Sequence, residues 1–466
     1  MAGEREGDRR SRERLGPPAA RGAVGAGQEM TTDATLERAL EALDREFGAT
    51  VVRLQQMVAI DSTTGTEGEV QAWARHRMEQ LGLEVEEVQL EESVLAAHPS
   101  AVVVPWSGKG RPNVVGRWRG AAAGRSLILN AHVDVVPPGP LESWTAHPFR
   151  PVIRGERLYG RGAADMKGGW VAIWAALRAL RAAGFEPAGD LIFMSVVEEE
   201  AGGTHGTLAC LLAGIRADAM IITEPLWTHL VVGHPGVLYF TVRIIGRTAH
   251  AAVAHQGVSA LLESVPVVEA LAALDRQRGE AHHMELFERL PGTAGRSVHL
   301  NLGTLRAGDW PSTVPGEAVI EGRISYLPGE KEEAVRAEVE AAVAAAAGAS
   351  PWLSRHPPKV EWSGWRGRPW LQDPAHPLVE MMEEAARAER GAPVPLAADT
   401  AGLDARFAGE LGIPCVVYGP RGGNEHGADE WVDLNSVRSL ARTLVRAAHR
   451  WCGNAGQPAE TKEEGS

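Results

Sequence analysis

Four short apolar runs constrain this chain more than anything else in it: Ser126–Val135, Leu191–Val197, Ala219–Thr223 and Cys415–Tyr418. Each is apolar on both faces, so each must be covered on both sides. Helical segments supply the cover. Gly169–Ala183 sets Trp170, Ile173, Trp174, Leu177 and Leu180 on one stripe, and from Thr35 to Leu83 apolar residues recur at three and four positions (Leu36, Leu40, Leu43, Phe47, Val51, Leu54, Val58). The predicted fold is α/β, with a mainly parallel, buried sheet flanked by helices.

From residue 236 the texture changes. A strand (Val237–Ile245), a helix (Val258–Leu274), two β-rich runs (Ser297–Leu305 and Ala318–Leu327) and an Ala/Glu-rich helix (Lys331–Ala347) follow in the outline β-α-β-β-α-β. This predicts an inserted α+β unit over residues 236–352, splitting a larger domain into parts at 34–235 and 353–452. Residues 1–33 and 453–466 are polar and aperiodic, and are expected to be a disordered leader and tail. The formal net charge of −13, with bases interspersed among acids, repels nucleic acid and anionic membranes. No apolar run is long enough to span a membrane and no signal-peptide core precedes the domain, so a soluble, cytoplasmic protein is expected. Cys210, Cys415 and Cys452 are too scattered for a disulfide framework.

The chemistry sits where the strands end. His132 and Asp134 close the first apolar run, the edge at which open α/β sheets place their sites. Residues i and i+2 share a strand face, so Asp134 is placed to hydrogen-bond the far nitrogen of His132. Asp165 lies in the glycine-rich turn Gly160–Gly169, which lacks the Gly-Lys-Ser/Thr ending of a phosphate loop. Glu198, Glu199 and Glu200 follow the second run; in a loop their side chains diverge, so one can ligate a metal while its neighbour handles protons. Glu224 precedes Pro225 after the third run, and His426 follows the fourth. One ligand from each segment gives two His and three carboxylates, the inventory of a two-metal hydrolytic centre whose ions lie roughly 3.5–4 Å apart. Taken singly, His-x-Asp is a weak signal and an acidic triplet is as often a solvated turn.

Together, the ordered set His-x-Asp, Gly-Arg-Gly-x-x-Asp-Met-Lys-Gly-Gly, Glu-Glu-x-Gly, Glu-Pro and a late His resembles the di-zinc hydrolases that include acetylornithine deacetylase, succinyl-diaminopimelate desuccinylase, aminoacylase and glutamate carboxypeptidase. The resemblance runs over about residues 35–450. It implies that Asp165 bridges two divalent metals, with His132 and Glu224 on one and Glu200 and His426 on the other. It further implies that Asp134 orients His132, that Glu199 is the general base, and that the Asp165-Met166 peptide is cis. The ions are expected to be zinc, although cobalt and manganese suit the same ligands. The inserted unit resembles the family's ferredoxin-like lid and dimerisation domain, which implies a homodimer in which His250 reaches the partner subunit's active site to stabilise an oxyanion.

Arg323, Ser312 and Arg406 fall at positions where relatives hold substrate. Here the chain departs from the pattern: it reads Ser312-Thr313-Val314-Pro315 for the usual Asn-x-Val-Pro, and Leu403-Asp404-Ala405-Arg406 for Thr-Asp-x-Arg. The implied reaction is hydrolysis of an amide in a small N-acylated amino acid or amine by a two-metal-activated water. The element Trp310–Pro315 favours the acetylornithine deacetylase-like branch. A carboxypeptidase or dipeptidase of the same family is the alternative, and a catalytically silent metal-binding relative is the rival from another class.

Overall fold

The computed structural model describes residues 34–290 and 293–455. The expected leader and most of the expected tail lie outside them. The first residues of that tail are hydrogen-bonded to the body: Ala188 N–H donates to the Gly453 carbonyl at 3.0 Å, and Ala455 N–H to that of Glu186 at 2.8 Å.

An eight-stranded sheet orders its strands Glu84–Val88, Asn113–Trp118, Leu191–Val196, Leu127–His132, Met220–Ile222, Cys415–Val417, Leu230–Val231 and Leu396–Ala397. Its centre is parallel: Leu127–His132 lies between Leu191–Val196 and Met220–Ile222, with Cys415–Val417 next. The margins are not. Glu84–Val88 and Asn113–Trp118 run antiparallel to their neighbours, and Leu230–Val231 meets Cys415–Val417 antiparallel. The expected mainly parallel sheet is therefore mixed, with its parallel part at the site.

The helix Gly168–Ala182 packs on this sheet and under the helices Ala34–Arg45 and Leu434–Cys452. Covered from both sides, it is buried nearly all round rather than along one stripe. The helical N-terminal region is broken into Ala34–Arg45, Phe47–Val58 and Gly68–Gln80. Of the apolar series read from the sequence, Leu40, Leu43, Phe47, Leu54 and Val58 are buried, and Leu36 and Val51 are partly exposed. Among the described residues no helix is long and apolar enough to cross a membrane.

A second, antiparallel sheet orders Leu300–Ala307, Glu317–Tyr326, Gly236–Ile245 and Lys359–Gly367. Alternate residues of the third strand, Leu238, Phe240, Val242 and Ile244, join Val267, Leu271, Val335 and Val339 of two helices in a separate apolar cluster. The insertion was expected to end at residue 352, but Lys359–Gly367 pairs with Gly236–Ile245, so this sheet continues through Gly367. The chain's two passages between the sheets are paired with each other, Gly233–His234 against Trp370–Leu371.

A small third sheet pairs Trp431–Asp433 with Arg157–Tyr159. It draws the loop of His426 against the loop of Asp165.

Candidate metal centre

The parallel strands deliver three donor segments to one edge. His132 is the last residue of its strand and is 1% exposed. Glu224 comes two residues after Met220–Ile222, and the single turn Glu199–Ala201 begins just past Leu191–Val196. Asp165 is presented by a tight loop that turns at Gly162, where φ is +77° and a Cβ would lie 2.4 Å from a methyl carbon of Val135. The Asp165-Met166 peptide is cis, as the resemblance implied. His426, also at positive φ, comes from the loop between Gly422–Gly423 and Trp431–Asp433.

The two oxygens of Asp165 face different histidines. Oδ1 lies 3.0 Å from His132 Nε2, and Oδ2 lies 3.3 Å from His426 Nε2. Glu224 Oε2 stands 3.6 Å from His132 Nε2, and Glu200 Oε2 stands 2.9 Å from His426 Nε2. Two donor triads result, His132-Asp165-Glu224 and Asp165-Glu200-His426, each with its ligand atoms within 4.8 Å of one another. Burial pushes Glu224 up to about 8 and Glu200 up to about 7, and the Asp165 charge adds to both. Glu199 is likewise raised, by burial and then by Glu224 and Asp404. Oε1 of Glu224 is buried with no hydrogen-bond partner among the described residues. Imidazole nitrogens and crowded carboxylates with a spare buried oxygen fit a pair of divalent cations.

The neighbours hold these donors in place. His132 Nδ1 is 2.9 Å from the backbone carbonyl of Asp134 and 3.5 Å from its carboxylate, so the expected side-chain bond gives way to a main-chain one. The Asp134 carboxylate instead accepts the backbone N–H groups of Glu199 and Glu200. Sequence reasoning missed Glu430. It is fully buried, accepts N–H bonds from Gly162, Ala164 and Asp165 at 2.9, 2.9 and 3.1 Å, and pairs with Arg161 at 2.7 Å. Its one signal was its place in the loop of His426.

The expected substrate residues are dispersed. Arg406 is 1% exposed; its Nη1 donates to the Leu403 carbonyl at 3.0 Å and its Nη2 to that of Gly202 at 2.6 Å, beneath the ring of Trp365. It braces the end of the Glu199–Ala201 turn rather than facing an open cleft. Arg323 reaches the Thr400 carbonyl at 3.3 Å from the second sheet. Ser312 is exposed and accepts Ala251 N–H through its carbonyl. His250 is exposed, with Nδ1 accepting Ala252 N–H at 3.0 Å, and among the described residues it makes no contact with either donor triad.

Residues 128–450 match the family described as Peptidase family M20/M25/M40. The chain is 30% identical over 365 residues to the N-formyl-4-amino-5-aminomethyl-2-methylpyrimidine deformylase of Bacillus subtilis (strain 168), covering 74% of this chain and 84% of that protein. It is 32% identical over 332 residues to the succinyl-diaminopimelate desuccinylase of Xanthomonas campestris pv. campestris (strain B100), covering 68% and 82%. Among solved structures its fold is similar to the di-peptidase Dug1p of Saccharomyces cerevisiae, with a TM-score of 0.71 at 16% identity over 91% of this chain and 100% of that one. A tripeptidase of Staphylococcus aureus gives 0.67 at 21% identity, over 90% and 98%. The chain therefore belongs to the M20/M25/M40 peptidase family and is a hydrolase of amide bonds.

Proposed function

We propose that this protein removes the acyl group from a small N-acylated amine or amino acid, using two divalent metal ions per chain and Glu199 as general base. The observation that carries this reading is the division of the Asp165 carboxylate between the two donor triads. Ions held by His132, Asp165 and Glu224 and by Asp165, Glu200 and His426, of zinc, cobalt or manganese, would polarise the amide carbonyl and acidify a water.

The protein's own groups do the rest. With Nδ1–H of His132 donating to the Asp134 carbonyl, Nε2 is left as the lone-pair nitrogen facing Asp165 and Glu224. Glu199, next to the ligand Glu200, takes the proton of the attacking water on a carboxylate oxygen and carries it to the departing amine nitrogen. Asp134 fixes the backbone from which Glu199 and Glu200 project. Both curated relatives are named for removing an acyl group from an amine, which favours deacylation over peptide cleavage.

The second sheet and its helices act in this reading as lid and dimerisation unit, with His250 entering a partner subunit's site to hold the oxyanion. The exposure of His250, and of Leu261, Leu262 and Val265 on the helix that follows, supports that arrangement. Arg323 and Ser312 face substrate.

Metal analysis of the purified protein, with turnover measured on N-formyl, N-acetyl and N-succinyl amines and amino acids beside dipeptides, tests the proposal. Two equivalents of metal and preference for the N-acyl compounds are expected. Preference for dipeptides would move the enzyme to the carboxypeptidase or dipeptidase reading, and metal binding without turnover would mark a silent relative.

A further inference from the structure

Glu198 has no place in either donor triad, yet its carboxylate is as heavily bonded as that of Glu430. Its side chain is fully buried and its backbone is left-handed, at φ +64°. For a glutamate that conformation carries a steric cost, so the surroundings must impose it. Trp106 Nε1 donates to its Oε2 at 2.9 Å and Arg111 Nη2 to the same oxygen at 3.0 Å. His205 Nδ1 lies 2.8 Å from both carboxylate oxygens. Arg111 is itself fixed, its Nη1 bonding both oxygens of the buried Glu67 at 3.0 and 2.9 Å. His205 is fixed by Glu92, 2.9 Å from Nε2. The Glu198 carbonyl then accepts Gly203 N–H at 2.6 Å and closes the turn that holds Glu199 and Glu200.

We propose that Glu198 is a positioning residue, and that the clamp of Arg111, Trp106 and His205 on its carboxylate aims Glu199 and Glu200 into the metal centre. The turn is thus held from two sides, by Asp134 at its amides and by this clamp at its first residue. The consequence assigned to Glu199 and Glu200 rests on the proposed function; the manner in which their turn is held does not. Two of the clamp's members, Trp106 and Arg111, and the Glu92 that steadies the third, come from the segment between the strands Glu84–Val88 and Asn113–Trp118. That connection, which supplies none of the proposed donors, sets the aim of the base.

The test uses the full chain with Trp106→Phe, which removes one donor and keeps a ring over Gly65, and Arg111→Lys, which cannot bridge Glu67 and Glu198 as a fork does. Backbone hydrogen exchange is followed in the metal-free protein for peptides covering residues 198–203 and 160–167, and zinc is titrated into each variant. The expected result is faster exchange confined to 198–203, with one of two zinc-binding steps weakened by about 10–100-fold and the other unchanged. A drop in kcat at unchanged KM should accompany it. Unaltered exchange at 198–203 in a folded variant, or exchange raised equally in both peptides, overturns the inference. A wild-type chain that binds no zinc or cleaves no amide sinks the proposed function instead, while the exchange measurement still decides this one.

Discussion

One oxygen of the Asp134 carboxylate accepts the backbone N–H of Glu199 at 3.1 Å, and the other accepts that of Glu200 at 3.2 Å. The strand end that supplies His132 therefore also fixes the neighbouring turn. His132 through the Asp134 carbonyl, and Glu199 and Glu200 through its carboxylate, are referred to one residue, and their spacing does not depend on loop rigidity alone.

Glu199→Gln keeps the size of the side chain and removes its basicity. Hydrolysis should fall by about 10²–10⁴-fold while the metal content stays that of the wild type. Undiminished turnover would take the base away from Glu199.

Because Asp165 belongs to both triads, removing it should disturb both. Zinc added to the metal-free wild type should raise the melting temperature, with about 2.7 kcal/mol of stabilisation when free zinc is 100 times Kd. In Asp165→Ala that shift should vanish, whereas Glu200→Ala should keep part of it through His132 and Glu224. Calorimetric titration of the three proteins reads the difference.

Glu430 and Arg161 form a buried pair that also ties down the backbone of Gly162, Ala164 and Asp165. Glu430→Ala strands a buried guanidinium and should cost about 3–5 kcal/mol by denaturant unfolding. Glu430→Gln, which keeps an acceptor oxygen, should cost less. Equal midpoints for all three proteins would show that the pair contributes nothing.

His234, at the first passage between the sheets, is fully buried, and burial pushes its ring down to about 4 from an ordinary 6.5. Above pH 6.5 neither the folded nor the unfolded state holds the extra proton, and this contribution to stability is complete. As pH falls from 6.5 to about 4 the unfolded chain takes up a proton that the folded chain refuses, so stability declines, and below about 4 the loss levels off. The melting temperature of His234→Phe should fall less steeply over that window. Parallel profiles for variant and wild type would remove His234 from the acid response.

The clustering of the five proposed donors was legible because each stands at the end of an apolar run or in a loop whose glycines mark it, so residue type and position pointed the same way. The bracing was not. Glu430 meets the Asp165 loop, and Arg111 meets Glu198, across long stretches of chain that only the packed sheet brings together. Arg406 carried the right residue type, but its direction depends on Gly202 and Trp365. The margins of the large sheet were missed for another reason: Leu230–Val231 and Leu396–Ala397 are too short to show a period. The last strand of the second sheet, Lys359–Gly367, is flanked by Pro357, Pro358 and Pro369, and prolines so placed read as a connection.

The placement of His426 has a consequence for how the enzyme comes into being. Four of the five proposed donors precede the second sheet, and the fifth follows it, just ahead of the helix Leu434–Cys452 that packs against Gly168–Ala182. During synthesis the carboxylates of the centre emerge from the ribosome long before their second histidine does. Until His426 has left the ribosome the chain holds one complete donor triad and only the carboxylates of the other, so on the proposed function a nascent or truncated form lacks the second metal site.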